Sequence, residues 1–256
     1  MAVAVITGAG GGLGSLIARG LHERGYTLLL TDVDQAAIAW VAEALGSRTE
    51  VMVHDVVDPE THRAVGRRAA ELGRVGLWIN NAGILRTGYV WAQSDDELRL
   101  HSDVNFLGLM YGCRQAVQLM RDGGGHIINI ASMSSFVPTP GIAAYGASKH
   151  AVLGFSLSLQ GELEAAGLPV RVSTLCPDVF DTDLVRQVED RQEASILFAR
   201  PALSAQSVAE QALALVEEPQ LVKAYPRSWG LLARMSQPLP GAALFILKKM
   251  RKRGQR

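Results

Sequence analysis

The sequence of 256 residues has only two cysteines, Cys113 and Cys176, with no metal-type spacing between them. Such usage suits free thiols in a reducing compartment, and hence a cytoplasmic protein. No apolar run reaches the roughly 18 residues that a membrane-crossing helix needs. The start "MAVAVITG" contains no basic n-region and runs straight into a glycine motif, so it reads as a strand and not as a signal peptide. No Pro/Ser-rich linker, charge block, internal repeat or low-complexity tract divides the chain, which points to one domain over residues 1–256. Formal net charge is zero, which argues against nucleic acid as the main partner. The aromatic residues do not interleave with Lys/Arg as a single-strand platform requires. His22, His62, His101 and His150 fall in helical patterns without paired ligand spacing, and His54 and His126 fall in strands. No metal site is expected.

Short apolar runs alternate with longer helical patterns. Expected strands are Ala2–Ile6, Thr27–Thr31, Glu50–Val53, Leu77–Asn80, His126–Ala131, Val170–Cys176 and Leu221–Tyr225. They are rich in Val, Ile and Leu and mostly lack alternation, as strands covered on both faces do. Expected helices are Leu13–Arg24, Gln35–Leu45, Pro59–Leu72, Asp95–Arg121, Tyr145–Ala166 and Ala205–Glu217. This order predicts an α/β, doubly wound parallel sheet of about seven strands with helices on both faces. Ligands then sit at the carboxyl ends of the strands.

The loop after the first strand reads "TGAGGGLG", Thr7 to Gly14. Gly8, Gly12 and Gly14, with Leu13, fit a tight turn into a helix N-terminus, where a pyrophosphate can approach the backbone. Asp32 closes the second strand 18 residues beyond Gly14. A carboxylate there accepts hydrogen bonds from ribose hydroxyls and repels a 2′-phosphate, so NAD is expected over NADP. Asp34 is the better-placed helix cap, which leaves Asp32 free.

In "AAYGASKHA", Tyr145 and Lys149 stand at i and i+4, on one helix face. A free tyrosine is a poor base at neutral pH, and a nearby ammonium favours its phenolate. The pair is either a tuned acid/base or an ordinary pair on a solvated face.

The chain resembles the short-chain dehydrogenase/reductase family, of the short single-domain type with a Rossmann-like sheet. The resemblance covers roughly Val3 to Tyr225. It rests on "TGAGGGLG" at 7–14, "HDV" at 54–56, "NNAG" at 80–83, "VN" at 104–105, "IAS" at 130–132 and "YGASK" at 145–149, in this order. It implies an oxidoreductase that passes a hydride between a nicotinamide cofactor and a secondary alcohol or ketone. It implies adenine contacts from Asp55 and Val56, and Asn81, Ala82 and Gly83 beneath the cofactor. It implies a catalytic tetrad of Asn105, Ser132, Tyr145 and Lys149, with Ser134 and Ser135 as alternative serines. Tyr145 would exchange the hydroxyl proton, and Ser132 would hold the substrate oxygen. Lys149 would lower the Tyr145 pKa and hold the nicotinamide ribose, and Asn105 would anchor a water leading to solvent.

After the sixth strand the chain departs from the family's "PG". It reads "PDVFDT", with Pro177, Asp178, Phe180 and Thr182 in the nicotinamide segment. The missing glycine is compatible with a turn that needs no positive φ, and Phe180 is bulkier than usual there.

Around the expected pocket stand Ile84, Leu85, Tyr89, Met133, Phe136, Val137, Phe180, Leu184, Val185, Ile196 and Phe198, an apolar set. Arg86 and Arg186 are read as solvent-facing. The expected substrate is a lipophilic secondary alcohol or ketone. An NADP-dependent carbonyl reductase is the alternative, opposed by Asp32; a non-catalytic NAD-binding sensor or scaffold is opposed by the tetrad.

A homodimer or homotetramer is expected through the helices at 95–121 and 145–166. Val152, Phe155, Leu159 and Leu163 offer either a partner or the sheet an apolar face. The tail at about 229–256 lies beyond the resemblance. From Pro219 onward there are nine Lys/Arg and no acid. Apolar Gly241–Met250 runs into Lys248, Lys249, Arg251, Lys252, Arg253 and Arg256. The tail either packs on the body or makes peripheral contact with an anionic membrane.

Overall fold

The structure is a computed structural model. It describes residues 2–238 and 240–254, without the side chains of Ser236, Pro240, Ala242 and 251–254. Seven strands form one parallel sheet in the order β3-β2-β1-β4-β5-β6-β7. They are β1 Val3–Thr7, β2 Thr27–Asp32, β3 Thr49–Val53, β4 Val75–Asn80, β5 Gly125–Ile130, β6 Val170–Pro177 and β7 Val222–Tyr225. The helices are α1 Gly12–Glu23, α2 Gln35–Leu45, α3 Pro59–Leu72, α4 Asp95–Ser102, α5 Gly108–Met120, α6 Ala143–Ala165, α7 Asp183–Arg186, α8 Ala205–Glu217, α9 Arg227–Ser236 and α10 Pro240–Gly254. The doubly wound α/β architecture is the one the sequence pattern predicts.

Alternate residues of the central strands feed opposite faces. Val3 and Val5 of β1 pack with Val65, Leu109, Cys113 and Val152 under α3, α5 and α6. Ala4 and Ile6 pack with Leu13, Ile17, Ile38 and Val208 under α1, α2 and α8. A strand covered on both sides needs apolar residues at every position, which is why the alternation is missing. β3 is different: it is a sheet edge, and Val51 and Val53 are 38% and 49% exposed.

Local chemistry fixes the helix starts. The Asp34 side chain accepts from the Ala37 N–H and caps α2, and Asp58 with Pro59 opens α3. Ser94 and Glu97 form a reciprocal capping box on α4.

One expectation changes. The single helix expected at 95–121 is divided by a π-helical turn, Asp103–Leu107. The extra residue turns Asn105 inward, and such turns recur where a side chain has a special position to reach. The apolar face of α6 is used by the chain's own core. Val152 and Leu163 are buried, and the partly buried Phe155 and Leu159 pack against the same cluster.

Candidate active site

One cleft of about 430 Å³ opens at the carboxyl ends of β1, β2, β4, β5 and β6. It brings together every expected site residue except Asn105. Gly8, Gly12, Leu13 and Gly14 come from the first loop, and Asp32, Asp55 and Val56 from the ends of β2 and β3. Asn81, Ala82 and Gly83 follow β4, Ser132 follows β5, Tyr145 and Lys149 stand on α6, and Pro177, Phe180 and Thr182 follow β6.

The glycine loop is built around absent side chains. Gly8 has φ +65°, and a Cβ on it would lie 2.7 Å from the Ala82 Cα. A Cβ on Gly14 would collide with the Gly8 carbonyl oxygen and lie 2.8 Å from the Ala9 Cα. The Asn81 side chain locks this turn by donating to the Thr7 and Gly8 carbonyl oxygens at 3.1 and 2.9 Å. Gly12 faces open space, its nearest neighbour across the cleft being the Thr182 methyl at 3.9 Å from a built Cβ. Gly11 is the N-cap of α1 and has no side chain to serve the first-turn N–H groups. These bare N–H groups at a positive dipole end fit a pyrophosphate.

Asp32 holds the loop from the other side. Its carboxylate accepts from the Gly10 N–H at 3.0 Å and from the Asp34 N–H at 3.2 Å. Asp34 supplies the helix cap, as expected, but Asp32 is not idle: it also tethers the loop.

At the far end of the cleft, Tyr145 and Lys149 lie on one face of α6, with the ammonium 5.8 Å from the ring centroid. The Ser132 hydroxyl hydrogen-bonds the Tyr145 side chain. Of the alternative serines, Ser135 is occupied in donating to the Lys149 carbonyl oxygen at 2.7 Å. The Ser132 Oγ also accepts from the Ser134 N–H at 3.1 Å. Lys149 is buried and donates to the Ile130 carbonyl oxygen at 2.9 Å. Burial pulls the Lys149 ammonium down to about 8. The expected lowering of Tyr145 is not seen. Burial pushes its phenol above the ordinary value, and the Ser132 hydrogen bond offsets this only in part. Desolvation outweighs an ammonium that is directed at a backbone carbonyl.

Asn105 stands behind the cleft wall. Its side chain accepts from the Ile84 N–H at 2.7 Å and donates to the Ile84 carbonyl oxygen at 3.0 Å and the Ser148 Oγ at 3.1 Å. A Cβ on Gly83 would lie 3.2 Å from the Asn105 Oδ1 and 3.6 Å from the Lys149 Nζ, so all three meet at one point.

In "PDVFDT", Asp178 needs no positive φ: Arg48 alone of the described non-glycine residues has one. Asp178 pairs instead with Arg200 at 2.6 Å, and the Arg200 guanidinium lies 4.0 Å from the Trp229 ring centroid. Phe180 bridges to Leu203 and packs against the cluster under α1, α2 and α8 while still lining the cleft.

The apolar expectation holds for Ile84, Leu85, Met133, Phe180, Leu184 and Val185, which line the cleft. It fails for the others. Tyr89 stacks on Trp91, Phe136 and Val137 belong to the core under α6, and Ile196 and Phe198 pack behind Leu197. Arg86 is exposed, and Arg186 is paired with Asp181 and Asp183, so neither points into the cleft. Sequence reasoning missed Val33, His54, Val104 and Leu197 in the lining and the whole Asp178–Arg200–Trp229 contact. His54 stood inside a quoted motif. Its ring is buried, bonded to the Thr31 Oγ1 at 3.0 Å and edge-on to His62 at 4.3 Å.

The family model described as "short chain dehydrogenase" matches residues 2–193. The chain belongs to the short-chain dehydrogenase family. Among its relatives is the 1-deoxy-11-beta-hydroxypentalenate dehydrogenase of Streptomyces avermitilis, 36% identical over 72% of this chain and 70% of that protein. The probable oxidoreductase EphD of Mycobacterium tuberculosis is also 36% identical, over 70% of this chain, but the match spans only 31% of that longer protein. A solved short-chain dehydrogenase/reductase from Burkholderia phymatum, in complex with NAD, superposes with a TM-score of 0.85 at 28% identity, covering 93% of each chain. This short-chain dehydrogenase thus has a fold and a cleft suited to a nicotinamide cofactor.

Proposed function

We propose that the chain interconverts a lipophilic secondary alcohol and its ketone with NAD as the preferred cofactor. The observation that carries this reading is the arrangement of the cleft: Ser132, Tyr145 and Lys149 meet at one end and the Asp32 carboxylate closes the other.

The bare glycine loop and the N-terminus of α1 would hold the pyrophosphate, Asp32 the adenosine ribose diol, and Lys149 the second ribose. When bound, the cofactor supplies the acceptor or donor for hydride. The Asp32 carboxylate disfavours a 2′-phosphate. Its neighbour Val33 is apolar and 65% exposed, and so offers such a phosphate no cation.

The protein's own part is the proton and the oxygen. The Ser132 hydroxyl donates to the substrate oxygen as charge grows on it. Tyr145 exchanges a proton with the same oxygen through its hydroxyl. Because burial keeps that phenol protonated near neutrality, it is ready to donate in the reductive direction and must first lose a proton in the oxidative one. Lys149 sits where its charge stabilises the phenolate. Asn105 holds Ile84 and Ser148 in place around that pair. Groups so positioned typically contribute ~10²–10⁴-fold.

The lipophilic assignment is supported by the apolar wall of Ile84, Leu85, Leu184, Val185 and Leu197, and by the absence of a free cation on that wall among the described residues. The Streptomyces relative, a dehydrogenase named for a hydroxylated compound, is in keeping with it. The test is NAD reduction across a panel of steroid, terpenoid and long-chain secondary alcohols set against short polar alcohols. Turnover of the lipophilic members supports the proposal, and turnover confined to the polar ones contradicts it. A homo-oligomer remains part of the proposal, resting on the family resemblance alone.

A further inference from the structure

The last two helices keep large apolar side chains on the outside. On α9, Gly230 and Ala233 face inward, while Leu231, Leu232 and Met235 are 63%, 55% and 66% exposed. On α10, Ala243 is buried, while Phe245 and Ile246 are 59% and 54% exposed. The inner side of α10 packs on the turn Gln192–Ile196, next to Leu197 of the cleft wall. The tail thus packs on the body with one side only. Five exposed side chains of this size, on two consecutive helices, are more than scattered surface residues.

The charge around them has one sign. Nine Lys/Arg and no acid occur from Pro219 to the end of the sequence. Arg227, Lys248 and Lys249 are exposed, and no carboxylate pairs with them among the described residues. The Lys249 ammonium lies 4.6 Å from the Phe245 ring centroid, so cation and apolar ring share one side of α10. A two-fold contact between copies would set this cationic face against itself. At 15 residues, α10 is too short to cross a bilayer, and no described helix is long and apolar enough to do so. Exposed Leu, Met, Phe and Ile beside cations are what an interfacial helix presents to anionic headgroups and the acyl boundary beneath them.

We infer that α9 and α10 form a docking surface for an anionic lipid membrane, beside the wall of the catalytic cleft. Docking needs no turnover, so this inference stands or falls apart from the proposed reaction.

The test uses the full chain with vesicles of phosphatidylcholine, with and without phosphatidylglycerol. The protein should sediment with the anionic vesicles, far less with the neutral ones, and be released by salt. Leu231→Asp and Phe245→Asp should each weaken binding about tenfold or more, and Lys248→Glu with Lys249→Glu should abolish it. All these variants should keep the native circular dichroism and NAD affinity. Absence of sedimentation with anionic vesicles overturns the inference, as does binding indifferent to lipid charge. It is also overturned if light scattering shows a dimer that Leu231→Asp dissolves while vesicles bind neither form.

Discussion

The Lys149 ammonium donates to the Ile130 carbonyl oxygen at 2.9 Å, tying the middle of α6 to the end of β5. This bond holds the cation 5.8 Å from the Tyr145 ring centroid, where a positive charge favours the phenolate. Burial lowers Lys149 to about 8 and raises Tyr145. Alcohol oxidation needs the phenolate, so its kcat/KM should rise about tenfold per pH unit up to the apparent pKa of Tyr145 and then level off. Ketone reduction needs the phenol and should fall above the same point. In Lys149→Met the oxidative limb should move to higher pH, and kcat should drop ~10²-fold. A flat oxidative profile from pH 6 to 10 would contradict the assignment.

Asp32 is expected to set cofactor choice. The wild-type ratio of kcat/KM for NAD over NADP should exceed about ten, and Asp32→Ser should lower it. Asp32 also tethers Gly10, so the variant should weaken NAD binding besides. Equal use of both cofactors by the wild type would overturn the preference.

The Asp178–Arg200 pair should hold the segment after β6. Its side chains are 15% and 29% exposed, between the surface and buried limits. Arg200→Met would leave Asp178 partly buried without its cation and should cost about 1–3 kcal/mol. Asp178→Asn added to Arg200→Met should recover part of that loss. Thermal melting of the single and double variants checks this. A double variant no more stable than the single one would mean that the loss comes from the Trp229 contact.

Two buried histidines predict acid sensitivity. His54 is pushed down to about 3 and His126 to about 4, both chiefly by burial. The unfolded chain therefore binds more protons than the folded one below about pH 6.5. The stability these neutral rings allow is complete above that pH and is lost as pH falls toward 4. The melting temperature should drop over this range, with a shallower slope in His126→Gln. An unchanged slope in that variant would contradict the His126 contribution.

Much of this was legible in the sequence because the central strands are covered on both faces and the loops after them carry special residues. Gly8, Gly14 and Asn81 cannot be exchanged without breaking the first turn, so their pattern marks the site directly. Tyr145 and Lys149 share a helix face because four residues make about one turn. The π-turn at Asn105 was hidden, since one added residue leaves no mark on an apolar period. The α6 face was ambiguous: residues 152, 155, 159 and 163 fit a partner and a core equally well, and only packing shows that Val152 and Leu163 are buried in the chain's own core. Asp178 could not be matched with Arg200, because the pairing depends on a long loop folding back over the sheet. The direction of the Tyr145 shift was missed because charge spacing can be read from a sequence, whereas burial cannot.

The central claim is that Tyr145 carries the proton in an NAD-dependent oxidation. The direct measurement follows NADH formation on the best alcohol of the panel by wild type and Tyr145→Phe, with NAD affinity measured in parallel. The account predicts a kcat loss of ~10²-fold or more with NAD affinity unchanged. Near wild-type turnover by the Phe variant would contradict it.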